Sequence, residues 1–412
     1  MYREEQLVRI AKRENNTKRS YLVVNRLQGK HVSVRPEEAF SMFEELAEGI
    51  RAAWGKERLL LVGFAETATA IGAAAAVKLG TLFTQTTREK LRGAEYLYFS
   101  EAHSHATEQK LVKDGVDRVI GKVDRIVFVE DEVTTGNTIL QIVDILEREY
   151  PGKVSFGVAS LLNGMDEEAL ERYRERRIPL CFLVKTDHGK YGEIAAGYRG
   201  DGTCLEADGR NPLQSWGEAA EQPSGAVRAC GEKLVFRQIE VGGLVNARGC
   251  TAGDVYHKAC EELWISIRKT GCLVDKRRIL VLGTEEFMYP ALYVAGRIEE
   301  ACREAGQETA EKPMEQRKGV SVRFHATTRS PILTSTEEEY PLHVRYELRS
   351  LYEGSRRTFV YDLESCDLAL VITDAEEVCP EGVYTLVNAL ARSGNRNILL
   401  VKWKDETGRW GR

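Results

Sequence analysis

Ile126-Val127-Phe128-Val129-Glu130-Asp131-Glu132-Val133-Thr134-Thr135-Gly136-Asn137-Thr138 is the stretch on which the reading of this chain turns. Its first four residues are apolar without a break, the pattern of a central parallel strand covered on both faces. Two adjacent acids follow, then a hydroxyl-rich turn with one glycine, then a helical pattern over 137–149. Ligands in open α/β sheets bind beyond the carboxyl ends of the strands. A turn at that place offers several backbone N–H groups, and the helix start adds its positive dipole end, so together they make a phosphate cradle. Gly136 lets the backbone approach a ligand closely, and Thr134, Thr135 and Thr138 add hydroxyls. Acids just ahead of such a cradle repel phosphate and suit sugar hydroxyls, directly or with a magnesium ion nearby. No Gly-Lys-Ser/Thr follows, which excludes a P-loop. Gly-x-Gly-x-x-Gly is absent, which excludes a dinucleotide fingerprint.

Strand and helix patterns alternate outward from this stretch. Residues 21–24 and 59–62 read as strands, 36–54 as a helix opened by Pro36, and 69–79 as an Ala-rich helix. Strands near 81–85, 95–99, 154–160 and 181–184 and a helix over 166–174 complete a doubly wound α/β pattern. From about Gly197 the pattern stops, and Gly-, Pro- and Asn-rich steps mark a linker. It resumes near Leu234, followed by a helix over 251–269, a strand at 279–282 and a helix from about Met288. Strands near 321–325, 344–349, 357–361 and 368–372, a helix near 382–392 and a strand near 397–402 follow. The expectation is a domain at 1–200, a linker at 201–232 and a second domain at 233–412, each domain a mostly parallel sheet flanked by helices. The 412 residues agree with two domains at roughly 150 residues or more each.

Composition narrows the function classes. With 43% hydrophobic and 29% charged residues, the chain is ordinary globular material rather than a disordered one. Its net charge of −5 gives no basic field to draw in nucleic acid. The Met1-Tyr2-Arg3-Glu4-Glu5 start is no secretory signal, and no long apolar run spans a membrane, so the expected location is the cytoplasm. None of the nine cysteines precedes Cys181 and no Cys-x-x-Cys pair occurs, so neither a zinc ribbon nor a disulfide frame is indicated.

Strand, acid pair and Thr-Thr-Gly turn, in that order, resemble the signature of the type I phosphoribosyltransferases. The resemblance implies that Glu130 and Asp131 contact the ribose hydroxyls of phosphoribosyl diphosphate, and that Thr134, Thr135, Gly136, Asn137 and Thr138 hold its 5′-phosphate. It also implies a magnesium cofactor, bound mainly through the donor's oxygens with Glu130 and Asp131 beside it. Upstream, Leu60-Leu61-Val62-Gly63-Phe64-Ala65-Glu66-Thr67 fits the family's pyrophosphate loop, so Ala65, Glu66 and Thr67 are expected to hold the diphosphate. Arg88 and Lys90 in Thr86-Thr87-Arg88-Glu89-Lys90 are expected to neutralise departing pyrophosphate. His103 and His105 fall where the family has a closing loop, as acid/base or pyrophosphate-neutralising groups; two histidines alone make a weak zinc site. Gln28, Lys30 and His31 are candidate contacts of the hood that selects the acceptor.

Three segments narrow the resemblance: 63–69, His103-Ser104-His105-Ala106-Thr107-Glu108, and 129–138. Together they resemble an orotate-phosphoribosyltransferase-like family of bacterial gene clusters associated with tellurite resistance and stress. Its members carry a C-terminal domain named for a Thr-Arg-Ser-Pro motif, here Thr328-Arg329-Ser330-Pro331. The implied activity is transfer of 5-phosphoribosyl to a nitrogenous base-like acceptor with release of pyrophosphate, or the reverse. The alternative is a non-catalytic sensor of the donor. A homodimer is a further expectation from the resemblance.

The two halves also share an order of features. Leu60-Leu61-Val62-Gly63 with Glu66 parallels Leu280-Val281-Leu282-Gly283 with Glu286; Thr86-Thr87-Arg88 parallels Thr327-Thr328-Arg329; and 126–131 parallels 369–374. The second domain then reads as a diverged copy without the cradle, since Ala375-Glu376-Glu377-Val378-Cys379-Pro380 is acidic where phosphate would sit. Thr284, Glu285, Glu286 and Arg329 are its candidate site, for another ligand or for completing the first domain's site.

Overall fold

The computed structural model describes residues 2–14, 19–99, 109–212, 224–229, 232–308 and 320–405. Two six-stranded sheets dominate it. In the first, Leu82–Gln85, Leu59–Gly63, Arg125–Val133, Ser155–Asn163 and Leu180–Lys185 lie side by side, all parallel. Leu59–Gly63 is buried along its whole length, with helix Thr69–Leu79 packed on it, which is why it carries no polar residue. Helices Pro36–Trp54 and Thr69–Leu79 pack against each other and the sheet. Pro36 opens the first of these, as its fixed φ predicts.

The second sheet repeats that order. Ser321–Ala326, Arg278–Gly283, Leu368–Thr373 and Asn397–Trp403 run parallel, in the arrangement of 82–85, 59–63, 125–133 and 155–163. Each half inserts an antiparallel hairpin between its second and third strands: Tyr96–Phe99 with Gln109–Val112, and Val344–Arg349 with Arg357–Tyr361. The fifth strands differ in origin. Leu180–Lys185 follows the first sheet in sequence, whereas Glu232–Val241 precedes the second.

The halves are not beads on a string. Helices Gly253–Lys269 and Tyr289–Glu308 pack on helices 36–54 and 69–79, so one apolar core runs through both halves, from Ile71 and Ala75 to Tyr256, Leu263 and Met288. A smaller core lies on the far face of the second sheet, around Leu282, Val371, Leu390 and Leu400.

Three expectations shift in detail. The strand expected at 126–129 runs to Val133, because parallel pairing with Ser155–Asn163 continues past the acids to Val133↔Asn163. Thr251 and Ala252, expected within a helix, form a short strand antiparallel to Leu82–Gln85 of the first sheet. The helix starts at Gly253, where a Cβ would stand 2.4 Å from the Ala76 carbonyl oxygen, so only glycine allows this approach. Within 201–232, read as linker, Thr203–Glu206 pairs parallel to 344–349 and Leu205 packs on the second core. Among the described residues no helix is long and apolar enough to cross a membrane.

Candidate functional site

Strand Arg125–Val133 carries the chain to a turn at 134–136, and helix Asn137–Glu149 leaves from it. Gly136 has φ 69°, and a Cβ there would meet the Tyr173 Oη at 2.3 Å, so both conformation and space demand glycine. Tyr173 donates to the Gly136 carbonyl at 2.7 Å. Its neighbour Arg172 donates to the Thr135 carbonyl at 3.3 Å and to Asn137 Oδ1 at 3.2 Å. Helix Glu167–Glu175 thus buttresses the turn from behind. The N–H groups of Thr134, Thr135 and Gly136 have no intramolecular acceptor among the described residues. Thr135, Asn137 and Thr138 are exposed. The result is an open ring of donors at a helix start, able to take an anion.

The three acids divide by strand alternation, which sends neighbouring side chains to opposite faces. Asp131 accepts from Thr67 Oγ1 at 2.8 Å, which joins the strand to the 63–67 loop. Glu132 is clasped by Arg19 Nη2 at 2.7 and 2.8 Å. Glu130 takes no such pair. Burial pushes its carboxyl well above the usual range, and the charges of Asp131 and Glu132 push the same way against the pull of Arg88. Burial also raises Asp131 against its Thr67 bond, and raises Glu132 against Arg19. Arg88, Arg19 and Arg13 all lie within electrostatic reach of these acids, and burial still outweighs them. No three of the site's His, Cys, Asp and Glu side chains converge as a metal cage among the described residues.

The 63–67 loop is held by both domains. Ala65 N–H donates to Thr86 Oγ1 at 2.8 Å, so this donor, expected to face diphosphate, is used internally. The Glu66 carboxylate accepts from Thr328 Oγ1 at 3.1 Å and Arg329 N–H at 3.2 Å, both from the second domain, with Lys30 Nζ 3.4 Å away. Burial opposes its charge, but Lys30, Arg329 and Arg88 outweigh burial and hold the carboxyl below its usual range. The Glu66 side chain is thus an anchored anion, while the Glu66 and Thr67 N–H groups have no acceptor among the described residues.

The hood assignment changes with this. Gln28 donates to the Thr67 carbonyl at 3.0 Å. Lys30, 0% exposed, donates to the Glu285 and Thr327 carbonyls at 2.5 and 2.8 Å. His31, 4% exposed, packs edge-on to Tyr361, and burial pushes its imidazole down to about 3. All three are buried, Gln28 against the first domain's 63–67 loop and Lys30 and His31 against the second domain.

The second-domain residues gather at the same junction. Arg329 donates through Nε to Glu285 Oε2 at 2.5 Å and pairs with Glu89 of the first domain. Glu286, 1% exposed, accepts from Arg248 Nε at 2.7 Å, Thr87 Oγ1 at 2.5 Å and Arg88 N–H at 3.1 Å. Thr284 bonds Thr373 and Tyr352. Of these four residues Glu285, Glu286 and Arg329 make contacts with the first domain, whereas Thr284 bonds within the second. Arg88 lies within electrostatic reach of Glu66 and Glu130, and its buried Nε lacks a hydrogen-bond partner. Lys90 turns away. It lines a cavity of about 820 Å³ shared with Arg248, Tyr352, Asp374 and Trp403 of the second domain. His103 and His105 lie outside the described residues.

Arg19, Arg172 and Tyr173 escape a sequence reading. Arg172 and Tyr173 fall in an ordinary amphipathic helix, and Arg19 lies over a hundred positions from Glu132.

Residues 7–186 match the PRTase_2 family model, described as phosphoribosyl transferase, and residues 250–390 match the model described as TRSP domain C terminus to PRTase_2. No curated protein matches the chain. Among solved structures it is similar to adenine phosphoribosyltransferase from Rhodothermus marinus, at 17% identity over 44% of this chain and 96% of that one, TM-score 0.33. The adenine phosphoribosyltransferase from Leishmania tarentolae matches at 17% identity over 46% of this chain and 88% of that one, TM-score 0.34. Orotate phosphoribosyltransferase from Aeropyrum pernix matches at 16% identity over 43% of this chain and 87% of that one, TM-score 0.29. A phosphoribosyl transferase domain followed by a TRSP domain accounts for both family matches, and the chain belongs to that two-domain family.

Proposed function

We propose that the chain transfers 5-phosphoribosyl from phosphoribosyl diphosphate to a nitrogen of a base-like acceptor, releasing pyrophosphate, or runs the same exchange in reverse. The observation that carries this is the open cradle at Thr134–Gly136, whose N–H groups have no acceptor among the described residues, beside acids whose carboxyls burial holds above their usual range. In this reading the cradle N–H groups bind the 5′-phosphate and the helix start favours its charge. Asp131, already fixed by Thr67, accepts from a ribose hydroxyl. Arg88 faces the charge that grows as the bond from the anomeric carbon to pyrophosphate breaks with its electron pair on the leaving oxygen. The acceptor nitrogen's lone pair forms the new bond, and its proton is passed to a base. The chemistry rests on positioning and fixed charge rather than on a covalent enzyme intermediate.

Magnesium fits the acid group, since a cation there would favour the charged form of the Glu130 and Asp131 carboxyls that burial holds above their usual range. Glu130 and Asp131 would stand beside it, with the donor's own oxygens supplying the remaining ligands, and the ion would neutralise the diphosphate. The reaction is expected in the cytoplasm, where phosphoribosyl diphosphate and bases meet.

The test is magnesium-dependent pyrophosphate release from the donor across a panel of bases. An Asp131→Asn, Thr135→Val double variant is expected to lose turnover. Undiminished turnover in that variant would refute the assignment, and donor binding without turnover on any base would favour the sensor instead.

A further inference from the structure

The contacts between the domains obey an approximate two-fold relation. Thr86 N–H donates to the Gly63 carbonyl at 3.0 Å, and Thr327 N–H to the Gly283 carbonyl at 3.0 Å. Ala65 N–H meets Thr86 Oγ1 at 2.8 Å, and Glu285 N–H meets Thr327 Oγ1 at 3.0 Å. Thr87 exchanges both backbone bonds with Lys110 of its hairpin, and Thr328 exchanges both with Phe359 of the matching hairpin. Across the junction, Val34 bridges Phe324 two residues before helix 36–54, while Thr251 pairs with Phe83 two residues before helix 253–269. Each domain thus lends a segment to the edge strand of the other.

The relation extends to the carboxylates. The first domain's Thr87 hydroxyl and Arg88 N–H hold Glu286 of the second, and the second domain's Thr328 hydroxyl and Arg329 N–H hold Glu66 of the first. Lys30 stands by Glu66 as Arg248 stands by Glu286. Such a reciprocal pattern is what an isologous contact between two copies of one fold gives. Here both copies are in one chain.

We infer that the Thr328–Arg329 step of the TRSP motif is the second domain's counterpart of Thr87–Arg88, and that it positions the first domain's 63–67 donor loop by gripping Glu66. The second domain then takes the place that a second subunit would take. This rests on the donor reading of that loop given above. Thr328 and Arg329 are positioning residues: they touch Glu66, whose loop neighbour Thr67 holds Asp131. The grip is a pair of hydrogen bonds to a buried charge, the class whose loss is felt most.

The experiment compares the full chain with its T328V, T328A and T328S variants. Hydrogen exchange at 64–69 is measured without ligand, and phosphoribosyl diphosphate affinity by calorimetry. We expect about tenfold faster exchange at 64–69 and about tenfold weaker donor binding in T328V and T328A, with T328S close to the parent. Unchanged exchange in both hydroxyl-less variants overturns the inference, as does failure of both to fold, which would make Thr328 a purely structural residue. If the parent binds no donor, the transferase reading falls, and the exchange result alone still decides whether Thr328 positions the loop.

Discussion

Replacing Glu286 with glutamine tests the junction directly. Its carboxylate is 1% exposed and accepts from Thr87 Oγ1, Arg88 N–H and Arg248 Nε, while the Arg248 side chain is 4% exposed. Glutamine keeps the shape but removes the charge and turns an N–H₂ toward one of these donors. Removing one partner of a buried ion pair costs roughly 3–5 kcal/mol. Arg248 retains its pair with Asp374, so the low end, about 3 kcal/mol, is expected. Acid titration gives an independent figure. Burial resists the Glu286 charge, but Arg248, Arg329 and the Thr87 bond overcome it and bring the carboxyl from 4.5 to about 2. A shift of that size is worth about 3 kcal/mol. The folded-state value is depressed, so this stability is fully present above pH 4.5 and is lost as pH falls toward about 2. Urea unfolding followed by tryptophan fluorescence should place E286Q about 3 kcal/mol below the parent at pH 7, with the gap closing between pH 4.5 and 2. A gap under about 1 kcal/mol at pH 7, or one independent of pH across that window, would refute the assigned role of this ion pair.

Other outcomes follow from the cradle and the acids. Glu130 is pushed above its usual range by burial, so stability is lost as pH rises from 4.5 through that raised value; E130Q should be more stable than the parent at pH 8, equal to it at pH 4, and deficient in donor binding. Equal stability at both pH values would contradict this. G136A should lose about 2–3 kcal/mol, from the left-handed backbone and the displaced Tyr173 bond, along with donor affinity. Tyr173→Phe should not rescue it, because the ring carbons Cε2 and Cζ would still lie 2.6 and 2.7 Å from the new methyl; full recovery in the double variant would show that the Oη contact alone, and neither the ring nor the backbone, carries the cost. Arg172→Ala should leave the fold intact and weaken donor binding several-fold by freeing the Thr135 carbonyl, measurable by calorimetry.

The buried strands, the Ala-rich helix and the 126–138 element are local patterns, and local patterns are legible in a single sequence. Continuous apolar runs at 59–62, 126–129, 279–282 and 368–372 mark strands covered on both faces, because no other placement hides them from water. Gly136 and its flanking threonines were legible as a turn between strand and helix, whereas the crowding by Tyr173, 37 positions on in another helix, was not. The repeated order of features in the two halves was also on the page of the sequence, and the matching strand order follows from it. What tertiary structure alone decided is who faces whom. Glu66 and Thr328 are 262 positions apart, and Lys30 and Thr327 are 297, distances over which no periodicity speaks. The sequence therefore placed Gln28, Lys30 and His31 over an acceptor and Lys90 beside the donor, because polar residues near a ligand loop suit both a pocket and a junction. Packing of helices 253–269 and 289–308 against 36–54 and 69–79 accompanies the burial of Gln28, Lys30 and His31, where a charge persists only beside an opposite charge, while Lys90 stays exposed at the cavity it shares with the second domain.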